Sequence, residues 1–185
     1  MAIVRSLRRH LRRFRDAREG ATAVEFAIVA IPFLALLLGI IELALVFSAS
    51  VALDNAVMAA SRRIRTGELI APTGSTAQEA SRIAFRNEIC ANMGFMQTDC
   101  QTNLYVDVRT SSDFSSIALA DPAAGGAWNP GTLTFNTGGA STIVLVRAYY
   151  RWTLFAPLMN QALVRLPGQT LLTSVTTFRT EPYAT

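Results

Sequence analysis

Charge is scarce in this chain. Asp, Glu, Lys and Arg make up 16% of its 185 residues and apolar types 51%, a low charge content for a wholly soluble domain. Histidine is nearly missing: His10 is the only one, so no imidazole beyond the N-terminal stretch is available for a Ser-His or Cys-His dyad. Cysteine is limited to Cys90 and Cys100. Without a Cys-x-x-Cys pattern and with one histidine, no zinc or iron–sulfur site is expected. No Gly-rich phosphate loop follows a strand pattern, and no internal repeat or long low-complexity tract occurs. Asp107, Asp113 and Asp121 are carboxylates that could pair, but nothing links them to a nucleophile or metal. The expectation is a protein that is not an enzyme, with no cofactor, no metal and no small-molecule substrate.

The charge that is present sits unevenly. Residues 1–20 carry Arg5, Arg8, Arg9, Arg12, Arg13, Arg15 and Arg18 against Asp16 and Glu19. That is +5, against +4 for the whole chain, which leaves −1 for the other 165 residues. The basic character belongs to the leader, so nucleic acid is not an expected partner of the rest.

Behind the leader, no charge appears from Phe26 to Ile41, and only Glu42 interrupts the run to Leu53. About 20 apolar residues cross a bilayer core of about 30 Å, so residues 21–47 are expected to form one transmembrane helix. From Ser48 the period changes without a breaker. Leu53, Val57, Ala60 and Ile64 form one stripe of an amphipathic helix. Arg62, Arg63 and Arg65 stand in its last turn and Gly67 just past its end, as the helix dipole and a C-terminal cap favour. One continuous helix is therefore expected from Ala21 to Thr66, with residues 48–67 as the extension of the span. At 1.5 Å per residue it is about 70 Å long, so its second half must pack on something.

Residues 68–185 are expected to be an α+β domain. Thr76-Ala-Gln-Glu79 fits a capping box opening a second helix, with Ile83, Ala84 and Ile89 as apolar positions up to Gly94. Leu104–Arg109, part of Thr142–Trp152 and part of Thr170–Arg179 alternate as strands, with Thr132–Asn136 as a short additional one. Asp121–Gly131 reads as a loop, and Leu154–Leu166 as a short helix or crossing loop closed by Pro167-Gly168. Tyr149, Tyr150 and Trp152 are expected in core and sheet packing, a partner-binding edge being the alternative. The fold class is α+β: a long N-terminal helix, transmembrane and then amphipathic, packed on a small antiparallel sheet.

Arginines directly before the span keep that side cytoplasmic by the positive-inside rule. The arrangement is N-in, C-out: an inner-membrane protein with its domain in the periplasm. Cys90 and Cys100 then lie in an oxidising compartment, where one disulfide is expected. Several readings of the leader compete. An ordinary signal peptide cut at Ser48-Ala49-Ser50 would leave Val51 as the N-terminus, but its apolar core is too long. A mitochondrial transit peptide would use Leu7, Leu11 and Phe14 on one face; Asp16, Glu19 and the immediate junction to a span weaken it. An uncleaved single-pass adaptor keeps the leader. A fourth reading cuts between Gly20 and Ala21.

In that reading Glu25-Phe26 stands fifth and sixth after the cut, an arrangement that resembles type IV prepilins. The string Arg18-Glu-Gly-Ala-Thr-Ala-Val-Glu-Phe-Ala27, followed by Pro32 and Gly39-Ile-Ile-Glu-Leu43, resembles the TadE-like pseudopilins of the tight-adherence (Tad) pilus system. Phe178-Arg179-Thr180-Glu181-Pro182-Tyr183 is similar to the end of that family. The resemblance is densest over residues 18–67 and thin from 68 to 140. It implies a minor pilin or pseudopilin, trimmed by a prepilin peptidase at Gly20 and Ala21, with other pilins and Tad assembly-platform proteins as partners and a place in the inner membrane or the extracellular pilus. It also implies that Glu25, with Phe26 beside it, meets the N-terminal amine of a neighbouring subunit. The competing reading of Glu25 is a carboxylate snorkelling to the cytoplasmic headgroups. Glu42 lies about 25 Å further along the helix, where it is expected to end the span at the outer interface. Pro32 is expected to kink or locally unwind the helix.

Overall fold

A computed structural model describes residues 20–70, 75–113, 121–156 and 163–182. The described elements are helices α1 (Ala21–Arg65), α2 (Ser75–Ala91) and α3 (Gln97–Asn103), a 3-10 turn at Gly94–Met96, and strands β1 (Leu104–Ser111), β2 (Ile143–Thr153) and β3 (Gln169–Arg179). The chain forms two compact units, the first ending at Ile41 and the second beginning at Glu42.

In the first unit the described residues are helical, and α1 continues through Pro32 without interruption. Its large apolar side chains, among them Phe26, Ile31, Phe33, Leu36 and Ile40, are exposed. Successive helical residues are 100° apart, so these side chains cover more than one face.

In the second unit the expected stripe is buried. Leu53, Val57, Ala60 and Ile64, joined by Ala49 and Ala56, line the face of α1 that enters the core. The helix ends as foreseen. Gly67 adopts a φ of +78° and its N–H reaches the Ile64 carbonyl at 3.2 Å, while Leu69 donates to the Arg63 carbonyl at 3.0 Å. A left-handed residue there lets the chain turn back over the last carbonyls.

The sheet is an antiparallel meander in the order β1-β2-β3. Side chains alternate between its faces. Leu104, Val106, Val108, Val144, Val146, Ala148, Tyr150, Leu172 and Phe178 meet α1 and α2 in the main core. Tyr105, Tyr149 and Leu171 fall on the other face, under Ala123, Trp128, Leu133 and Leu166. Tyr149 and Tyr150 are therefore both packed, on opposite faces. The fold is α+β, with the second half of the long helix against a three-stranded antiparallel sheet.

Several local expectations need correction. Helix α2 begins at Ser75, so Thr76 lies inside it rather than at its cap, and Glu79 pairs with Arg82 at 2.7 Å. Its buried positions are Phe85, Ile89 and Cys90, while Ile83 and Ala84 are exposed. The stripe is offset because α2 has the sheet below it and solvent above, a choice made by packing. At residues 132–136 the expected strand reduces to one parallel bridge between Val108 and Phe135. Leu154–Ala156 is non-helical, and residues 157–162 of the expected crossing lie outside the described residues. Pro167-Gly168 does turn the chain into β3, with Gly168 at φ +69°.

Candidate functional site: the apolar helix and its junction

Gly20 is exposed and immediately precedes α1, and nothing lies within 4 Å of where a Cβ would stand. Ala21 is the first residue of the helix. Glu25 and Phe26 follow one turn later, both exposed. Residues four apart share a helix face, which puts Glu25 on the same face as Ala21. The basic leader, with His10, lies outside the described residues. From Thr22 onward the helix is long and apolar enough to cross a membrane.

Glu42 is the first residue of the second unit, and the sequence reading did not foresee its partners. Its side chain is wholly buried in the second unit. One carboxylate oxygen accepts the Phe155 N–H at 2.6 Å and the other the Ala156 N–H at 3.0 Å. A carboxylate removed from water is costly unless donors replace its hydration, and two peptide N–H groups supply charge-assisted hydrogen bonds. The residue ties the helix to the segment after β2. Nothing local announces this role, because the donors stand 113 and 114 residues away. The one available cue was a lone carboxylate in an apolar run.

Cys90 and Cys100 form a disulfide, with Cα atoms 5.5 Å apart, joining the end of α2 to α3. The three aspartates divide among separate roles. Asp107 and Arg147 are direct cross-strand partners, and Asp107 is fully buried. Its Oδ2 accepts from the Arg147 guanidinium through both Nε, at 3.0 Å, and an NH2 group. Its Oδ1 accepts the Thr134 N–H at 2.7 Å and Arg109 Nε at 3.1 Å. Burial alone would raise its pKa; the Thr134 N–H, Arg147 and Arg109 outweigh that and hold it below the usual carboxylate value. Asp121 pairs with Arg165 at 2.8 Å and accepts the Ala123 N–H at 2.9 Å. Asp113 lies just past β1, its carbonyl accepting from the Ser111 hydroxyl at 2.8 Å. Among the described residues no three His, Cys, Asp or Glu side chains converge as a metal site.

Residues 20–62 match the model of the family described as TadE-like protein. The match opens at Gly20 and takes in Ala21, Glu25, Phe26 and Glu42, and leaves the similarity at residues 178–183 outside it. No curated protein and no solved structure matches the chain.

Proposed function

We propose that this chain is a minor pilin or pseudopilin of a Tad-type pilus, in which a prepilin peptidase cuts between Gly20 and Ala21. The observation that carries the reading is one helix with two characters. It begins at Ala21, directly after an exposed glycine, exposes large apolar side chains up to Ile41, and from Ala49 onward buries one stripe in a folded domain. The family match over residues 20–62 covers that same element.

Seven arginines before the span keep the leader cytoplasmic, and the domain with its disulfide stands in the oxidising periplasm. Cleavage creates an α-amine at Ala21, the first residue of the helix. A carboxylate at Glu25, close to the helix N-terminus and at the edge of hydrocarbon, is a natural partner for the corresponding amine of a neighbouring subunit. The exposed apolar surface of α1 serves first as a membrane anchor and then as a packing surface among other pilins. The chain acts as the substrate of the peptidase and as a part of the assembly, with roles in adhesion or secretion supplied by the finished pilus. A cut by ordinary signal peptidase before Val51 is disfavoured, because it would remove Glu42 and Ala49 from the domain that buries them.

Mass analysis of the membrane-extracted protein tests the reading. A new N-terminus at Ala21 is expected; an intact Met1 would mean an uncleaved adaptor, and Val51 ordinary secretion. Glu25→Ala is expected to leave cleavage intact and reduce pilus assembly, counted by electron microscopy. Normal pili from that variant would remove the amine–carboxylate pairing.

A further inference from the structure

The apolar run of α1 does not stop where the second unit starts. From Phe26 to Leu53 the only polar side chains are Glu42, Ser48 and Ser50, and none of them depends on water. The Glu42 carboxylate is held by the Phe155 and Ala156 N–H groups. The Ser48 hydroxyl donates to the Ala44 carbonyl at 2.9 Å, and the Ser50 hydroxyl to the Val46 carbonyl at 3.0 Å. Hydroxyls satisfied within their own helix are tolerated in hydrocarbon. The first exposed charge after Glu25 is Asp54.

At 1.5 Å per residue the stretch from Phe26 to Leu53 is about 42 Å long. The hydrocarbon core is about 30 Å thick, and about 40–45 Å with its headgroup layers. Tilt alone would have to reach about 45° to hide the excess, beyond the usual range of up to about 40°. With the leader arginines holding the inner end at the cytoplasmic headgroups, the excess falls at the outer side. There the second unit exposes Leu43, Leu45, Phe47 and Val51 on α1, together with Phe155, which is 51% exposed. The Glu42 hydrogen bonds keep Phe155 level with this part of the helix. Leu45 and Phe47 are 200° apart around the axis, so no single neighbouring helix covers both, whereas a lipid layer surrounds them.

We propose that the base of the folded domain is seated in the outer headgroup layer of the bilayer, with Phe155 as a lipid contact and Glu42 as the clamp that sets its depth. Apolar side chains at such a base gain by entering the boundary between headgroups and acyl chains. The inference rests on the reading of α1 as a membrane span and not on the cut after Gly20.

The test uses the full chain, labelled with 15N-phenylalanine and reconstituted at one copy per lipid nanodisc. Three relaxation agents are compared: a phospholipid with a nitroxide high on its acyl chain, one with the nitroxide near the chain end, and a gadolinium chelate confined to water. The Phe47 and Phe155 amides are expected to lose most of their intensity to the first lipid and to keep it with gadolinium. Phe33, inside the span, should respond most to the second lipid. Phe178, packed under Arg65 at the far end of α1, should respond to neither. Loss at Phe155 to gadolinium, with Phe33 still relaxed by lipid, would overturn the seating and leave the span intact. Phe33 untouched by either lipid would remove the span and this inference with it. Protection of Phe155 only in discs holding several copies would mean that a neighbouring chain covers it, and would overturn the lipid contact. Glu42→Gln is expected to open Phe155 to gadolinium with Phe33 unchanged; no change at Phe155 would remove the clamp.

Discussion

Asp107 and Arg147 face each other across β1 and β2, and both are almost wholly buried. Removing one member of such a pair leaves an uncompensated charge in the interior, a loss of about 3–5 kcal/mol. Asp107→Asn is therefore expected to lower the unfolding free energy by that amount in a denaturant titration. Its pKa in the folded chain is lowered from 3.8, so the pair's contribution is complete above that pH and is lost as the pH falls below it through the folded value. The wild type should hold its stability down to about pH 4 and then lose more of it than the variant does. Glu42 makes a second prediction at this scale. Glu42→Gln replaces one accepting oxygen by an NH2 group that faces a peptide N–H. Hydrogen exchange at the Phe155 and Ala156 amides is expected to accelerate about tenfold or more. Unchanged exchange at both amides would separate Glu42 from the segment after β2.

Among the elements, the turn region before β2 is held by a glycine. Gly138 has φ +66°, and a Cβ there would stand 2.5 Å from the Thr142 hydroxyl and 2.7 Å from the Thr110 methyl. Both neighbours flank the β1–β2 pairing, so the added carbon strains the backbone and crowds the ladder's end at once. Gly138→Ala is expected to destabilise the domain by about 1–3 kcal/mol, read as a lower melting temperature. The long helix was legible at this scale because its signal is periodic and local. The stripe Leu53, Val57, Ala60 and Ile64 and the cap at Gly67 follow from spacing and left-handed geometry alone. Helix α2 was legible in place but not in rotation. With Ile83, Phe85 and Ile89 all apolar, the spacing admits two faces, and only the disulfide and the sheet beneath select the one bearing Phe85.

The whole molecule joins two solvent requirements in one chain. Exposed leucine, isoleucine and phenylalanine side chains from Phe26 to Ile41 demand hydrocarbon or another apolar helix, since contiguous apolar surface of this extent is not stable in water. From Glu42 onward the chain keeps a conventional core between helices and sheet. Alkaline carbonate washing is expected to leave the full chain in the membrane pellet, and detergent to release it. Release by carbonate alone would show that the apolar helix does not reside in the bilayer.

Composition, period and charge asymmetry dictated the apolar helix, its amphipathic continuation, the α+β class and the three principal strands, because each depends on neighbours within a few residues. The candidate junction was legible for the same reason: Gly20, Ala21, Glu25 and Phe26 lie within seven consecutive positions. Tertiary structure alone decided the rest. Glu42 could be placed at the end of the apolar run, but its partners, the peptide N–H groups of residues 155 and 156, come from contacts distant in sequence. Asp107 looked like one of three unattached aspartates until strand register set it against Arg147 and the Thr134 N–H came to its other oxygen. A buried charge is tolerable only where specific partners replace water, and those partners are chosen by contacts distant in sequence.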